Sequence, residues 1–189
     1  MGKYDYLKKY INNKAHYPEN GFNICLIQEI NKQEKRLGFK FPKALKEFWL
    51  NIGYGALRKS KNNEITGGNG NFILSPKEVA DMILLRHEDQ VLPDIEELFD
   101  EGWINIEKEE IIFFEIGNSS SFLVMKPNSI KPDGIYDMYG WLLVDSFEEF
   151  IWRLYHESPD FHLYLEDKSE NSPENLAILE QERESKRGG

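Results

Sequence analysis

Ile111-Ile112-Phe113-Phe114-Glu115-Ile116, then Gly117-Asn118-Ser119, then Ser121-Phe122-Leu123-Val124-Met125-Lys126, is the stretch that decides the fold class. The first run is apolar, of strand length and rich in β-branched and aromatic residues. The Gly-Asn-Ser step is a turn, and the second run has the same character, so the two are predicted neighbours in an antiparallel meander. Downstream, Pro127 to Gly134 reads as a loop, and Ile135–Tyr139 and Trp141–Val144 as one or two more strands around Gly140. Ser146 with Glu149 forms a capping-box pattern opening a helix, with Phe147, Phe150, Ile151 and Leu154 at helical spacing on one face.

Upstream of the strands the period is helical. Tyr6, Leu7, Tyr10 and Ile11 mark a short helix over 3–13, and Pro18, Asn20 and Gly21 a loop. Ile27, Ile30, Glu34 and Leu37 mark a helix over 24–37 that Gly38 stops. Pro42 suits the first turn of a third helix, whose stripe is Leu45, Phe48, Trp49 and Ile52 and whose C-terminal cap is Gly53. After a polar loop over 58–71, a strand through Phe72-Ile73-Leu74 reaches Ser75, Pro76 and Glu78, a complete helix-start signal. That helix is predicted to run to about Leu85 or His87, with a short helix at Ile95–Asp100 beyond it.

With no internal repeat and no interdomain linker, the expectation is a single α+β domain over 1–165. N-terminal helices pack on a mostly antiparallel sheet of about four to six strands, a C-terminal helix closes it, and a polar tail, loosely helical or disordered, occupies 166–189. Aromatic residues at 13% give such a domain a sizeable core, which a disordered chain lacks.

Charge is distributed unevenly. Residues 1–65 hold 13 Lys/Arg against 6 Asp/Glu, whereas residues 88–115 hold 11 acids against Lys108 alone. That window alone carries a net charge of −10, equal to the whole chain's. Such a field repels nucleic acid and draws in basic partners. The alternative reading, a solvated acidic face, has equal weight. Past the window, Tyr136, Asp137, Tyr139 and Trp141 alternate rings with acids; nucleic-acid binders set rings among Lys and Arg instead, so this stretch suits a protein partner or simple packing on the sheet.

The residues offer little for catalysis. The lone cysteine, Cys25, sits in the apolar run Ile24-Cys25-Leu26-Ile27 and excludes both an intramolecular disulfide and thiolate zinc clusters. His16, His87, His156 and His162 form no metal-binding pair. Gly117-Asn118-Ser119 lacks the second glycine of a nucleophile elbow, and Gly67-Gly68-Asn69-Gly70 is followed by a strand rather than by the lysine and helix of a P-loop. No metal, cofactor or enzymatic activity is expected. The amphipathic start at Met1 to Tyr6 is unlike a signal peptide, and no apolar run is long enough to span a membrane, so the expected location is cytoplasmic, with no membrane partner.

One family resemblance is carried by Ile27, Glu34, Leu37-Gly38-Phe39, Phe41-Pro42, Leu45, Phe48-Trp49-Leu50 and Gly53-Tyr54-Gly55. This resembles the opening signature of the SUKH superfamily, which includes bacterial immunity proteins and a fungal regulator of cell-wall glucan synthesis. The stretch from Ile73 to Glu78, the strand at Ile112–Gly117, Gly134-Ile135-Tyr136 and the helix from Asp145 to Phe150 are similar to later family features in the same order, over about 24–155. The resemblance implies an immunity protein, an antitoxin that neutralises a cognate bacterial toxin by direct contact. Nucleases are the toxin class that an acidic face suits. The alternative within the family is a non-catalytic regulatory scaffold in cell-wall or signalling assemblies. The expected partner-binding residues are Asp94, Glu96, Glu97, Asp100, Glu101, Glu107, Glu109 and Glu110, with Tyr136, Asp137, Tyr139 and Trp141. The sequence leaves the oligomeric state open.

Overall fold

The computed structural model describes residues 2–66, 70–84, 110–116, 122–138, 140–163, 165, 172–173 and 176–177. Most of the acidic window, the predicted helix at 95–100, the turn at 117–119 and most of the tail from 166 lie outside the described residues.

The chain is α+β, built on one seven-stranded antiparallel meander in sequence order. Its strands are β1 (Asn20–Asn23), β2 (Tyr54–Leu57), β3 (Phe72–Ile73), β4 (Ile111–Glu115), β5 (Phe122–Met125), β6 (Ile135–Asp137) and β7 (Leu142–Val144). The helices are α1 (Ile27–Leu37), α2 (Lys43–Asn51), α3 (Pro76–Ile83) and α4 (Phe147–His156), preceded by a short 3-10 helix at Asp5–Tyr10.

Seven strands exceed the four to six expected, and the surplus is explained by β1 and β2. Asn20-Gly21-Phe22-Asn23 consists largely of residues that disfavour strands, so it reads as a loop. It becomes a strand because β2 pairs along it, with Phe22 opposite Gly55 and Asn23 opposite Tyr54. Gly53 and Gly55 allow the approach. They sit at φ 110° and 142°, and a Cβ would fall 1.9 Å from the Asn23 carbonyl oxygen and 2.2 Å from that of Gly21 respectively. α2 ends at Asn51 with Ile52 as its cap, one residue before the expected Gly53, whose N–H still donates to the Phe48 carbonyl at 3.2 Å while its bare Cα serves the strand pairing. The sheet accordingly starts after the 3-10 helix and before α1.

Helix starts follow the sequence signals. The Ser75 hydroxyl accepts from the Glu78 N–H at 3.2 Å, and the Glu78 carboxylate accepts from the Ser75 N–H at 2.7 Å. The Ser146 hydroxyl caps α4, accepting from the Glu149 N–H at 3.2 Å, which is the one half of the expected capping box that is seen. α1 starts at Ile27 rather than 24, where the Glu29 carboxylate takes the Leu26 N–H at 2.6 Å, and it ends at Gly38, which is left-handed at φ 82°.

The core is a run of edge-to-face and tilted rings linking the layers. Tyr4 and Phe22 meet Phe48 of α2, Phe48 meets Phe147 of α4, and Phe147 and Phe150 meet Phe113 of β4. Each such pair adds about 0.5–1.5 kcal/mol beyond the area it buries. Trp49 is fully buried, and its indole N–H donates to the Leu74 carbonyl at 2.9 Å, tying α2 to the β3–α3 junction. α1 packs on α3, where Arg36 Nη2 lies 2.7 Å from the Asp81 carboxylate.

Candidate partner-binding site

Of the residues singled out for partner binding, Asp94, Glu96, Glu97, Asp100, Glu101, Glu107, Glu109 and Tyr139 lie outside the described residues. The remaining four are placed, and three of them are turned inward. Glu110, at the head of β4, is buried against Lys126 at 3.4 Å. The Lys126 ammonium in turn sits over the Tyr136 ring, 5.4 Å from its centroid. Tyr136 is fully buried in β6, with its hydroxyl 3.0 Å from that of Ser129. Asp137 is buried too and makes the turn into β7: its carboxylate takes the Trp141 N–H at 2.8 Å, and its own N–H donates to the Trp141 carbonyl. Only Trp141 is half exposed. β6 is an inner strand, with Tyr136 pairing Val124 on one side and Leu142 on the other, and Ile135, Tyr136 and Asp137 are all buried. Tyr136 and Asp137 thus hold the loop after β5 and the turn into β7, and Glu110 pairs with Lys126 where β4 begins.

The Cys25 thiol is not a nucleophile. Burial, and then the neighbouring Glu29 charge, push its pKa up to about 12. Among the described residues no group of three or more His, Cys, Asp or Glu could hold a metal ion. No helix among them is long and apolar enough to cross a membrane.

Two surface features went unread in the sequence. The first is apolar: Ile24, Leu26 and Ile27, at 54%, 56% and 45% exposure, stand out between β1 and α1. Ile27, at helical spacing with Ile30 and Glu34, is the first residue of α1 and stays exposed, while the buried residues of the helix are Ile30, Gln33 and Glu34.

The second is a cleft of about 440 Å³ between the 3-10 helix, the turn before β1, the loop after β2 and the end of α4. Lys9, Lys59 and Lys61 line it beside Tyr10, Tyr17 and Tyr155. Its floor is well fixed. The buried Asn20 amide donates to the Lys59 carbonyl and accepts from the Arg58 and Lys59 N–H groups. The loop closes on itself through Ser60, whose N–H donates to the Glu64 carbonyl at 2.9 Å, and it is fastened to α4 by the Lys61 N–H on the Tyr155 carbonyl at 2.6 Å. Its residues come from four separated segments, so no local motif could have announced it.

Comparison with known proteins agrees with this architecture. The chain is 33% identical over 149 residues to a protein of Bacillus subtilis (strain 168) named immunity protein YxxD, a match covering 79% of this chain and 92% of the relative. No solved structure gives a significant match. The profile of the SMI1 / KNR4 family (SUKH-1) matches residues 25–167, from the β1–α1 junction past the end of α4, and the chain belongs to that family.

Proposed function

We propose that this protein is an immunity protein, which protects a bacterial cell by binding a toxin and blocking it. The observation that carries the reading is the likeness to immunity protein YxxD along nearly the whole of that relative. Two physical features support it. The candidate nucleophiles and metal ligands that can be placed are buried or scattered, as suits a protein that acts by occupancy. The net charge of −10 concentrated over 88–115 gives it a field that steers and holds a basic partner.

In its finer form the proposal puts the contact on the acidic window, with Asp94, Glu96, Glu97, Asp100, Glu101, Glu107 and Glu109 as contact residues, together with Tyr139 and Trp141. Glu110, Tyr136 and Asp137, being buried, are not contact residues in this reading. A nuclease toxin, whose substrate cleft must be basic to hold phosphates, is the partner such a surface would cover, by standing in for the phosphate backbone. The encounter belongs in the cytoplasm, where such a toxin would find nucleic acid.

The test is protection. Cells producing a toxin encoded next to this gene should survive when the full chain is co-produced, and the two proteins should co-purify as a stable complex. Survival with no complex, or a complex that leaves the toxin active, would contradict the reading.

A further inference from the structure

We propose that the cleft between the 3-10 helix, the loop after β2 and α4 is a binding site for a small phosphorylated ligand, separate from the toxin-binding surface. The chain as a whole is strongly acidic, yet this cleft is lined by three lysines and a single carboxylate, Glu19. Glu19 is already engaged: its Oε2 lies 3.5 Å from Arg58 Nη2, which also donates to the Pro18 carbonyl. Lys9, Lys59 and Lys61, by contrast, have no carboxylate within ion-pair distance among the described residues. Lys59 and Lys61 line the cleft from either side of the buried Ser60, at the start of the turn that closes through Glu64. Lys9 is held in place without being neutralised. Its ammonium donates to the Tyr155 hydroxyl at 3.2 Å and stands 4.8 Å over the Tyr10 ring, and these contacts favour its charged form.

Three lysines without a carboxylate partner among the described residues, lining one concavity, make it electropositive, which suits an anion with several oxygens. Shape and size point to the same ligand class. The cleft is walled by four separate chain segments, and about 440 Å³ falls in the range of small-molecule sites. Tyr17 lies edge-on to Tyr10 at 4.8 Å and to His16 at 5.4 Å, so one wall is aromatic and suits a planar ring attached to the phosphate. A nucleoside diphosphate combines these properties. The lysines recognise phosphoryl oxygens as point charges, so inorganic pyrophosphate shares the essential chemistry.

The test is calorimetry on the full chain at low ionic strength, with ADP and inorganic pyrophosphate as separate probes. Saturable one-to-one binding is expected for both. Tighter binding of ADP would add the aromatic wall to the site, and equal binding would assign recognition to the lysines alone. Lys59→Glu with Lys61→Glu should weaken both probes about tenfold or more, while Lys59→Arg with Lys61→Arg keeps the charge and retains binding. Both positions are on the surface, and circular dichroism of each variant checks that the fold is kept. Failure of both probes to saturate, or undiminished binding by the charge-reversed chain, would overturn the proposal. Neither result bears on toxin binding, which the same charge-reversed chain should retain.

Discussion

The carboxylate of Glu34, on the last turns of α1, accepts from the ammonium of Lys46 on α2 at 2.9 Å while itself only 3% exposed. It also accepts from Lys40 at 2.7 Å and from the Phe41 N–H at 3.1 Å. One buried side chain thus fixes the whole Leu37–Pro42 connection and with it the angle between the two helices. Glu34→Ala would leave the Phe41 N–H buried without an acceptor and Lys46 without its partner, and should cost about 2–3 kcal/mol in urea unfolding. Glu34→Gln keeps an acceptor for Phe41 and should lose less.

The same contact makes a pH prediction. Burial alone would raise the Glu34 carboxyl, but the hydrogen bonds from Lys40, Lys46 and Phe41 outweigh it and hold the group below the ordinary carboxylate range. A carboxyl lowered by folding contributes stability above its unfolded pKa and loses it as pH falls through the folded value. Glu34→Gln should therefore flatten the acid limb of the stability profile below about pH 4.5.

His162 contributes a separate acid sensitivity at higher pH. It is fully buried against Phe114, Phe150 and Phe161, with neither ring nitrogen hydrogen-bonded, and burial pushes its pKa down to about 4. The folded chain keeps this ring neutral, whereas the unfolded chain takes up a proton near pH 6.5. Stability should be insensitive to it above that pH and fall between about 6.5 and 4, by up to roughly 3 kcal/mol in total. Urea titrations at pH 7 and pH 4.5 should show a larger difference for the natural chain than for His162→Leu.

Glycines separate two kinds of backbone demand. A side chain at Gly55 would collide with the Gly21 carbonyl, so Gly55→Ala should cost about 2–4 kcal/mol and loosen β1. Gly38 is also left-handed but meets nothing within 4 Å, so Gly38→Ala should cost only about 1–2 kcal/mol. Denaturant midpoints of the two variants give the comparison.

Cys25 should behave as buried packing. A thiol-specific reagent at mildly alkaline pH is expected to label the folded chain about a hundredfold or more slowly than the urea-unfolded chain.

What the sequence made legible is what local chemistry decides. Ser75-Pro76 with Glu78 starts a helix wherever it stands, and Ile111–Phe114 can only be buried. The pairing of Glu34 with Lys40 was also within reach, because the residues lie six apart across a glycine stop. β1 was not, since Asn and Gly form a strand only when a specific partner such as Gly55 comes alongside. Tyr136 and Asp137 read as recognition residues because rings alternate with acids there, a pattern that does not reveal that β6 is an inner strand buried along its whole length. The lysine cleft was hidden for a related reason: Lys9 and Lys59 are fifty residues apart and meet only once the sheet has formed.

The central claim is neutralisation through the acidic window, and calorimetry of the purified toxin complex at low and at physiological salt tests it most directly, with the natural chain and with Glu96, Glu97, Asp100 and Glu101 all changed to Lys. The account predicts tight binding that weakens with salt and falls by about a hundredfold or more on charge reversal. A complex whose affinity is indifferent to both salt and charge reversal would contradict it.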